Sequence, residues 1–124
     1  MNIQKFINLA REEAKKGNVT EWSHGAVIVK GNRIIGRGHN RFSGKIVQFE
    51  QRYQVTLFSL HAELAGILDC DESVDGASIF VSGIKSNGKR VLCRPCKKCM
   101  HIIRKMPFKA IYYETKSGIE AIIL

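Results

Sequence analysis

A chain of 124 residues with 44% apolar and 25% charged side chains has the composition of an ordinary globular protein, outside the disordered and fibrous classes, and its length suits one domain covering residues 1–124. The longest apolar stretches, such as Ala26 to Val29 and Ala121 to Leu124, fall far short of the roughly 20 residues that cross a bilayer, which excludes a spanning segment. The net charge of +9 is concentrated: between Gly76 and Tyr113 nine Lys and Arg, from Lys85 to Lys109, face no Asp or Glu, and the rest of the chain carries eleven of each sign.

Taken in chain order, Ile3, Phe6, Ile7, Ala10 and Ala14 recur at helical spacing before Gly17, which predicts an amphipathic helix over residues 2–16. Met1 to Lys16 lacks the apolar core and cleavage site of a signal peptide, so the expected location is intracellular, in the cytoplasm. Ala26 to Lys30 and Arg33 to Gly38 are β-rich runs separated by Gly31-Asn32, a two-residue hairpin signal. Residues 41–60 show no clear period and are expected to form an ordered loop or a short helix.

From His61 onward Leu64, Ala65, Ile67 and Leu68 mark a helix face that ends in the acidic Asp69 to Glu72 region and Gly76, placing His61 and Glu63 in its first turn. Ala77 to Val81 reads as a buried strand, and Ser86-Asn87-Gly88-Lys89 as a turn leading into Val91-Leu92. Pro95 suits the first position of a helix running to about Lys105, where Pro107 stops it. Lys109 to Tyr113 is a further strand, and Ile119 to Leu124 is either a last strand or a truncated helix.

The chemistry lies in two short segments. Cys93, Cys96 and Cys99 are crowded together and only Cys70 stands apart, a spacing that favours a metal over disulfides. Cys96 and Cys99 are three apart at a helix beginning, where the helix dipole favours thiolates. His61-Ala62-Glu63 followed by Pro95-Cys96-Lys97-Lys98-Cys99 fits the H-x-E…P-C-x-x-C signature of zinc nucleobase deaminases in kind, order and spacing.

His61, Cys96 and Cys99 then make three ligands to a Zn2+ ion. Three protein ligands leave a fourth position for water, as in catalytic rather than structural zinc, and the ion lowers the pKa of such a water to around 7. Glu63, two residues after His61, is expected to carry protons from the water to the ring nitrogen and the departing amine. Alone, a His or a Glu opening a helix is more simply a cap or an answer to the dipole, so specificity resides in the combination. Cys93 is either a fourth, closing ligand or a buried small residue, and its spacing leaves both open; Cys70 is expected to be a core thiol.

From about His24 to Tyr113 the chain resembles the cytidine and deoxycytidylate deaminase superfamily, on Gly25-Ala26-Val27-Ile28-Val29, Gly38-His39-Asn40 and the two zinc segments. The resemblance implies an α/β/α sandwich with a mixed five-stranded sheet, a homo-oligomer, and a cleft beside zinc in which Asn40 hydrogen-bonds the substrate and the Ala62 backbone touches the base. Arg94 is a further candidate for binding substrate. The Glu that commonly follows the Asn by two in free-cytidine deaminases is Phe42 here, while Lys98 and Phe58 replace the Met and Asp usual in tRNA adenosine deaminases. Deoxycytidylate deaminase is the better match, because Asn40-Arg41-Phe42-Ser43-Gly44 resembles its glycine-containing loop and the basic zone suits a 5′-phosphate. The expected reaction is therefore dCMP to dUMP with release of ammonia, on a small-molecule nucleotide.

Two rivals stand beside it. One is deamination of a base in single-stranded nucleic acid or tRNA, through the basic region Lys85 to Lys109 and stacking on Phe42, Phe49 or Tyr53. The other is a non-catalytic, zinc-stabilised nucleic-acid-binding module, with Cys93 closing the metal. A solvated basic face with no ligand is the plainer account of the charge.

Overall fold

The computed structural model describes residues 2–17, 22–85 and 93–124, with Trp22 described by its backbone only. Helix α1 (Ile3–Ala14) begins where the Asn2 side chain accepts the Lys5 N–H at 3.0 Å, and buries the stripe Phe6, Ile7, Ala10 and Ala14. It ends earlier than its periodicity predicts, because Lys16 and Gly17 donate to Glu13 and Ala14 in a tightened last turn.

Strands β1 (Trp22–Lys30) and β2 (Arg33–His39) form the predicted hairpin. Gly31 and Asn32 have φ of 55° and 65°, the left-handed pair that a two-residue turn of matching twist requires. β1 starts four residues before the apolar run because Trp22 to Gly25 pair with Lys85 to Ser82 of β3 (Ser78–Lys85), which likewise outruns its predicted end at Val81. Parallel to β3 lies β4 (Ala110–Thr115), and β5 (Gly118–Ile123) folds back antiparallel on β4, which makes the last apolar stretch a strand. The order β2-β1-β3-β4-β5 is a mixed five-stranded sheet.

Residues 41–60 contain helix α2 (Ile46–Tyr53), framed by an isolated bridge in which Arg41 and Leu60 exchange backbone hydrogen bonds of 3.0 and 2.8 Å. Its N-cap is Lys45, with no side-chain hydrogen bond, so the usual start signal is missing from the sequence. Helix α3 (Ala62–Asp69) has His61 as its N-cap, one residue outside the predicted first turn, with Glu63 inside it. Helix α4 (Lys97–Ile103) starts two residues after Pro95. The correction follows from Cys96, which is extended at ψ 168° and whose Sγ accepts the Cys99 N–H, so the thiol takes the cap position in front of the helix. At the other end, Lys105 and Met106 bond three residues back, and the helix unwinds into turns before Pro107. The predicted turn at 86–89 and Val91-Leu92 lie outside the described residues.

Period-two alternation divides the sheet residues between two cores. Val27, Val29 and Phe80 meet α1, while Ala26, Ile28, Ile79 and Val81 meet the side chains of α2, α3 and α4. The result is the α/β/α sandwich that the resemblance implies. Close approach of the helices depends on glycine: a Cβ at Gly25 would lie 2.0 Å from Ala10 O, and one at Gly38 would lie 2.3 Å from Gly66 N. Gly38 thus lets the backbone of α3 rest directly on β2. Across the other core, buried Glu114 of β4 is salt-bridged to Arg11 of α1 and accepts the Ser82 hydroxyl at 2.8 Å.

Candidate metal centre

Two helix beginnings meet on one face of the sheet. His61 caps α3 without using its side chain as a cap, and its Nδ1 lies 3.1 Å from Cys99 Sγ and 3.6 Å from Cys96 Sγ. Among the described residues these three form the one His/Cys/Asp/Glu group able to hold a metal, with ligand atoms within 4.8 Å of one another. Zinc bonds of about 2.0 Å to nitrogen and 2.3 Å to sulfur, opened to a tetrahedral angle, separate N and S by about 3.5 Å. The observed separations bracket that value, and an imidazole with two thiols is a donor set that suits zinc, so the residues fit the ion.

The electrostatics of the triad point the same way. Cys96 is pulled down to about 3 by hydrogen bonds from Cys99 and His61, against the opposing effect of burial. Cys99 moves upward, through its hydrogen bond to Cys96 and then its burial, so the pair retains one proton between them. His61 is raised, chiefly by its bond to Cys96. Cys96 and Cys99 would hold a cation as thiolates, which requires the shared proton to be released.

Cys93 stands outside the triad. It is 2% exposed, its N–H donates to Glu114 O at 3.2 Å and burial pushes its thiol up to about 12, but what separates it from the ligands is position: it is not among the donor atoms gathered at the centre. Cys70, half-buried at the end of α3, is pushed up to about 11 by burial and donates to Gly66 O at 3.4 Å.

Beside the triad is a cavity of about 360 Å³. Glu63, 5% exposed at the second position of α3, lines it together with Ala62, Asn40 and Arg94, so all the substrate-binding candidates converge there. Asn40 is fixed by β1: its Oδ1 accepts the His24 N–H at 2.8 Å and its own N–H donates to His24 O at 3.1 Å. Arg94 is exposed at the rim, donating from Nη1 to Tyr113 Oη at 2.9 Å. His24, Ser59 and Val81 also line the cavity, and no spacing in the sequence marks them, because β1, β3 and the segment before α3 contribute one residue each.

The three aromatic candidates for base stacking separate. Phe49 is buried at 5% and stacked on half-buried Tyr53, which takes it out of reach of a ligand and corrects the expectation for that residue. Phe42 is exposed and meets Phe58, 83% exposed, edge to face at 5.6 Å. Of the basic run, Lys85, Arg94, Lys97, Lys98, Arg104, Lys105 and Lys109 are exposed, and Lys89 and Arg90 lie outside the described residues. No described helix is long and apolar enough to cross a membrane.

Comparison with known proteins places this geometry. Residues 1–115 match the family described as the cytidine and deoxycytidylate deaminase zinc-binding region. The deoxycytidylate deaminase of Mycobacterium phage D29 is 25% identical over 129 residues, covering 90% of this chain and 93% of that protein. The fold is shared with the dCMP deaminase of cyanophage S-TIM5, solved in complex with dCMP and dUMP, at a TM-score of 0.67 and 21% identity over 90% of this chain and 79% of that one. It is also shared with cytidine deaminase from Mycobacterium tuberculosis, at a TM-score of 0.60 and 14% identity over 97% and 89% of the two chains. With that family matched over nearly the whole length and the donor triad assembled within it, the chain belongs to the cytidine and deoxycytidylate deaminase family and is a zinc-using deaminase.

Proposed function

We propose that the protein hydrolyses the exocyclic amine of a cytosine nucleotide, converting dCMP to dUMP and ammonia. The observation that carries this is the convergence, in one cavity, of a zinc donor triad, a buried carboxylate at Glu63 and a guanidinium at Arg94. Bound at the triad, zinc supplies the Lewis acidity that makes water a nucleophile at neutral pH. A C–O bond forms at the amine-bearing ring carbon, the C–N bond breaks, and nitrogen leaves as ammonia. Glu63 accepts a proton from the attacking water and delivers protons to the ring nitrogen and to the leaving amine.

Substrate contacts follow from the lining. Asn40, fixed in place with Oδ1 accepting the His24 N–H, lines the cavity as the residue that hydrogen-bonds the substrate. Ala62 occupies the first position of α3, where a backbone N–H has no partner within the helix, and serves as a donor to the base. Arg94 at the rim takes the 5′-phosphate, as a fork of N–H donors suited to its oxygens. The phage relatives named for dCMP support the choice of a nucleotide.

A second substrate class, a base within single-stranded nucleic acid or tRNA, is favoured by the exposed Phe42 and Phe58 pair and by the exposed basic residues of the run from Lys85 to Lys109. The zinc-stabilised, non-catalytic module loses its main support, since Cys93 stands outside the triad and Glu63 faces the cavity. A cytoplasmic enzyme of one domain over residues 1–124 is the reading supported by its thiol ligands, which reducing conditions keep free. Its assembly as a homo-oligomer is supported by the resemblance and by Ile123, 73% exposed on edge strand β5.

Ammonia release from dCMP, cytidine, guanine, single-stranded DNA and tRNA, with Glu63→Ala as control, tests the proposal. Turnover of dCMP that the control abolishes is expected. Activity on the polymers alone moves the assignment to the second class, and equal turnover by the control removes Glu63 from its role.

A further inference from the structure

Among the described residues no carboxylate holds Arg94 directly. Its Nη1 donates to Tyr113 Oη at 2.9 Å, its guanidinium carbon lies 5.7 Å from the Tyr113 ring centre, and the same hydroxyl donates to Glu120 Oε2 at 2.7 Å. Tyr113 is 2% exposed on β4, whereas Glu120 is exposed on β5, the edge strand paired with it. Neither residue lines the cavity, and of the described residues that do, Arg94 carries the one guanidinium.

This order of groups has a chemical consequence. A guanidinium gripped directly by a carboxylate is oriented but largely neutralised, and an incoming phosphate must compete for its donors. Here a neutral phenol intervenes. It uses one of five N–H donors and leaves the charge available, while the carboxylate behind it polarises the O–H and strengthens its oxygen as an acceptor. The ring beneath the guanidinium adds a cation–π contact of the kind that orients Arg without discharging it.

Building on the proposed function, we propose that Tyr113 and Glu120 are positioning residues that hold Arg94 charged and aimed at the rim, so that preference for a phosphorylated nucleoside is set from behind the cavity. The residues act through Arg94 alone. They should affect what the phosphate contributes to binding and leave untouched what the base and zinc contribute.

The test measures kcat and KM separately for dCMP and deoxycytidine, together with equilibrium binding of each to the zinc-loaded protein, zinc content and thermal midpoint, in wild type, Tyr113→Phe, Glu120→Ala and Glu120→Gln. Tyr113→Phe keeps the buried ring and removes the hydroxyl, so KM and Kd for dCMP should rise on the order of tenfold with kcat little changed. Values for deoxycytidine should stay within about twofold, as expected when only the phosphate contact is weakened. Glu120→Ala should move in the same direction by less, and Glu120→Gln, whose carbonyl still accepts the phenol, should restore most of the preference. Equal losses for dCMP and deoxycytidine, an unchanged ratio, or a wild type that binds both equally would overturn the inference. A wild type that binds dCMP selectively but turns over neither compound, with the Tyr113→Phe effect intact, leaves the inference standing and removes the proposed reaction.

Discussion

His61 Nδ1 and Cys99 Sγ meet at 3.1 Å across 38 positions of sequence. One opens α3 and the other lies in the first turn of α4, and the two helices pack on the same face of the sheet. The contact exists because the excursion through α2 returns at the Arg41–Leu60 bridge to start α3 beside the end of β2, and β3 and β4 run parallel, so the crossover between them carries α4 back onto that face.

Cys99 is fully buried, whereas Cys96 is exposed. Cys99→Ala should therefore remove a ligand and open a small hole in the core at once, lowering bound zinc to well below one per chain. It should also reduce stability by more than Cys96→Ala does. Zinc release to a chromogenic chelator and urea unfolding check both outcomes, and full zinc retention by Cys99→Ala would remove it from the donor set.

Glu63→Gln keeps the shape of the buried side chain but not its ability to take a proton. Deamination should fall by roughly 10²–10⁴-fold, the usual worth of a positioned acid–base group, with zinc content unchanged. Steady-state rates and metal analysis on the same preparation are sufficient, and loss of zinc along with activity would make the residue structural.

Gly38→Ala would place a Cβ 2.3 Å from Gly66 N and 2.7 Å from Ala62 O, backbone atoms that no rotamer change can move. The variant should lose about 2 kcal/mol or more, with weakened zinc binding, because α3 carries His61 and must lift off β2. Gly44→Ala, with nothing within 4 Å, is the control and should unfold like wild type. Denaturant midpoints and zinc affinity distinguish the two.

Buried Cys93 sets an alkaline limit. Its folded pKa is raised to about 12 from 9.0, so between those values the unfolded chain has released a proton that the folded chain retains. Stability from this thiol is complete below pH 9 and lost as pH rises toward 12. Urea midpoints at pH 8, 9.5 and 10.5 should fall in that order, with a shallower decline in Cys93→Ala. Identical declines would assign the effect to other groups.

The zinc donors and Glu63 were legible in the chain as letters because ligand chemistry admits few residue types, while the cap positions of His61 and Cys96, neither a usual cap residue, were decided by the folded backbone. Also legible was the Gly31-Asn32 turn, whose geometry is a property of two residues. What local pattern could not supply was pairing. The extensions of β1 and β3 exist only because they face each other, β5 is a strand because β4 offers it an edge, and α2 begins without a cap and is stabilised by burying Phe49. The same limit applies to the cavity. Its lining residues His24, Ser59 and Val81, and the Tyr113 and Glu120 pair behind it, come from separate elements brought together by sheet order, and contacts between distant segments leave no period in a sequence.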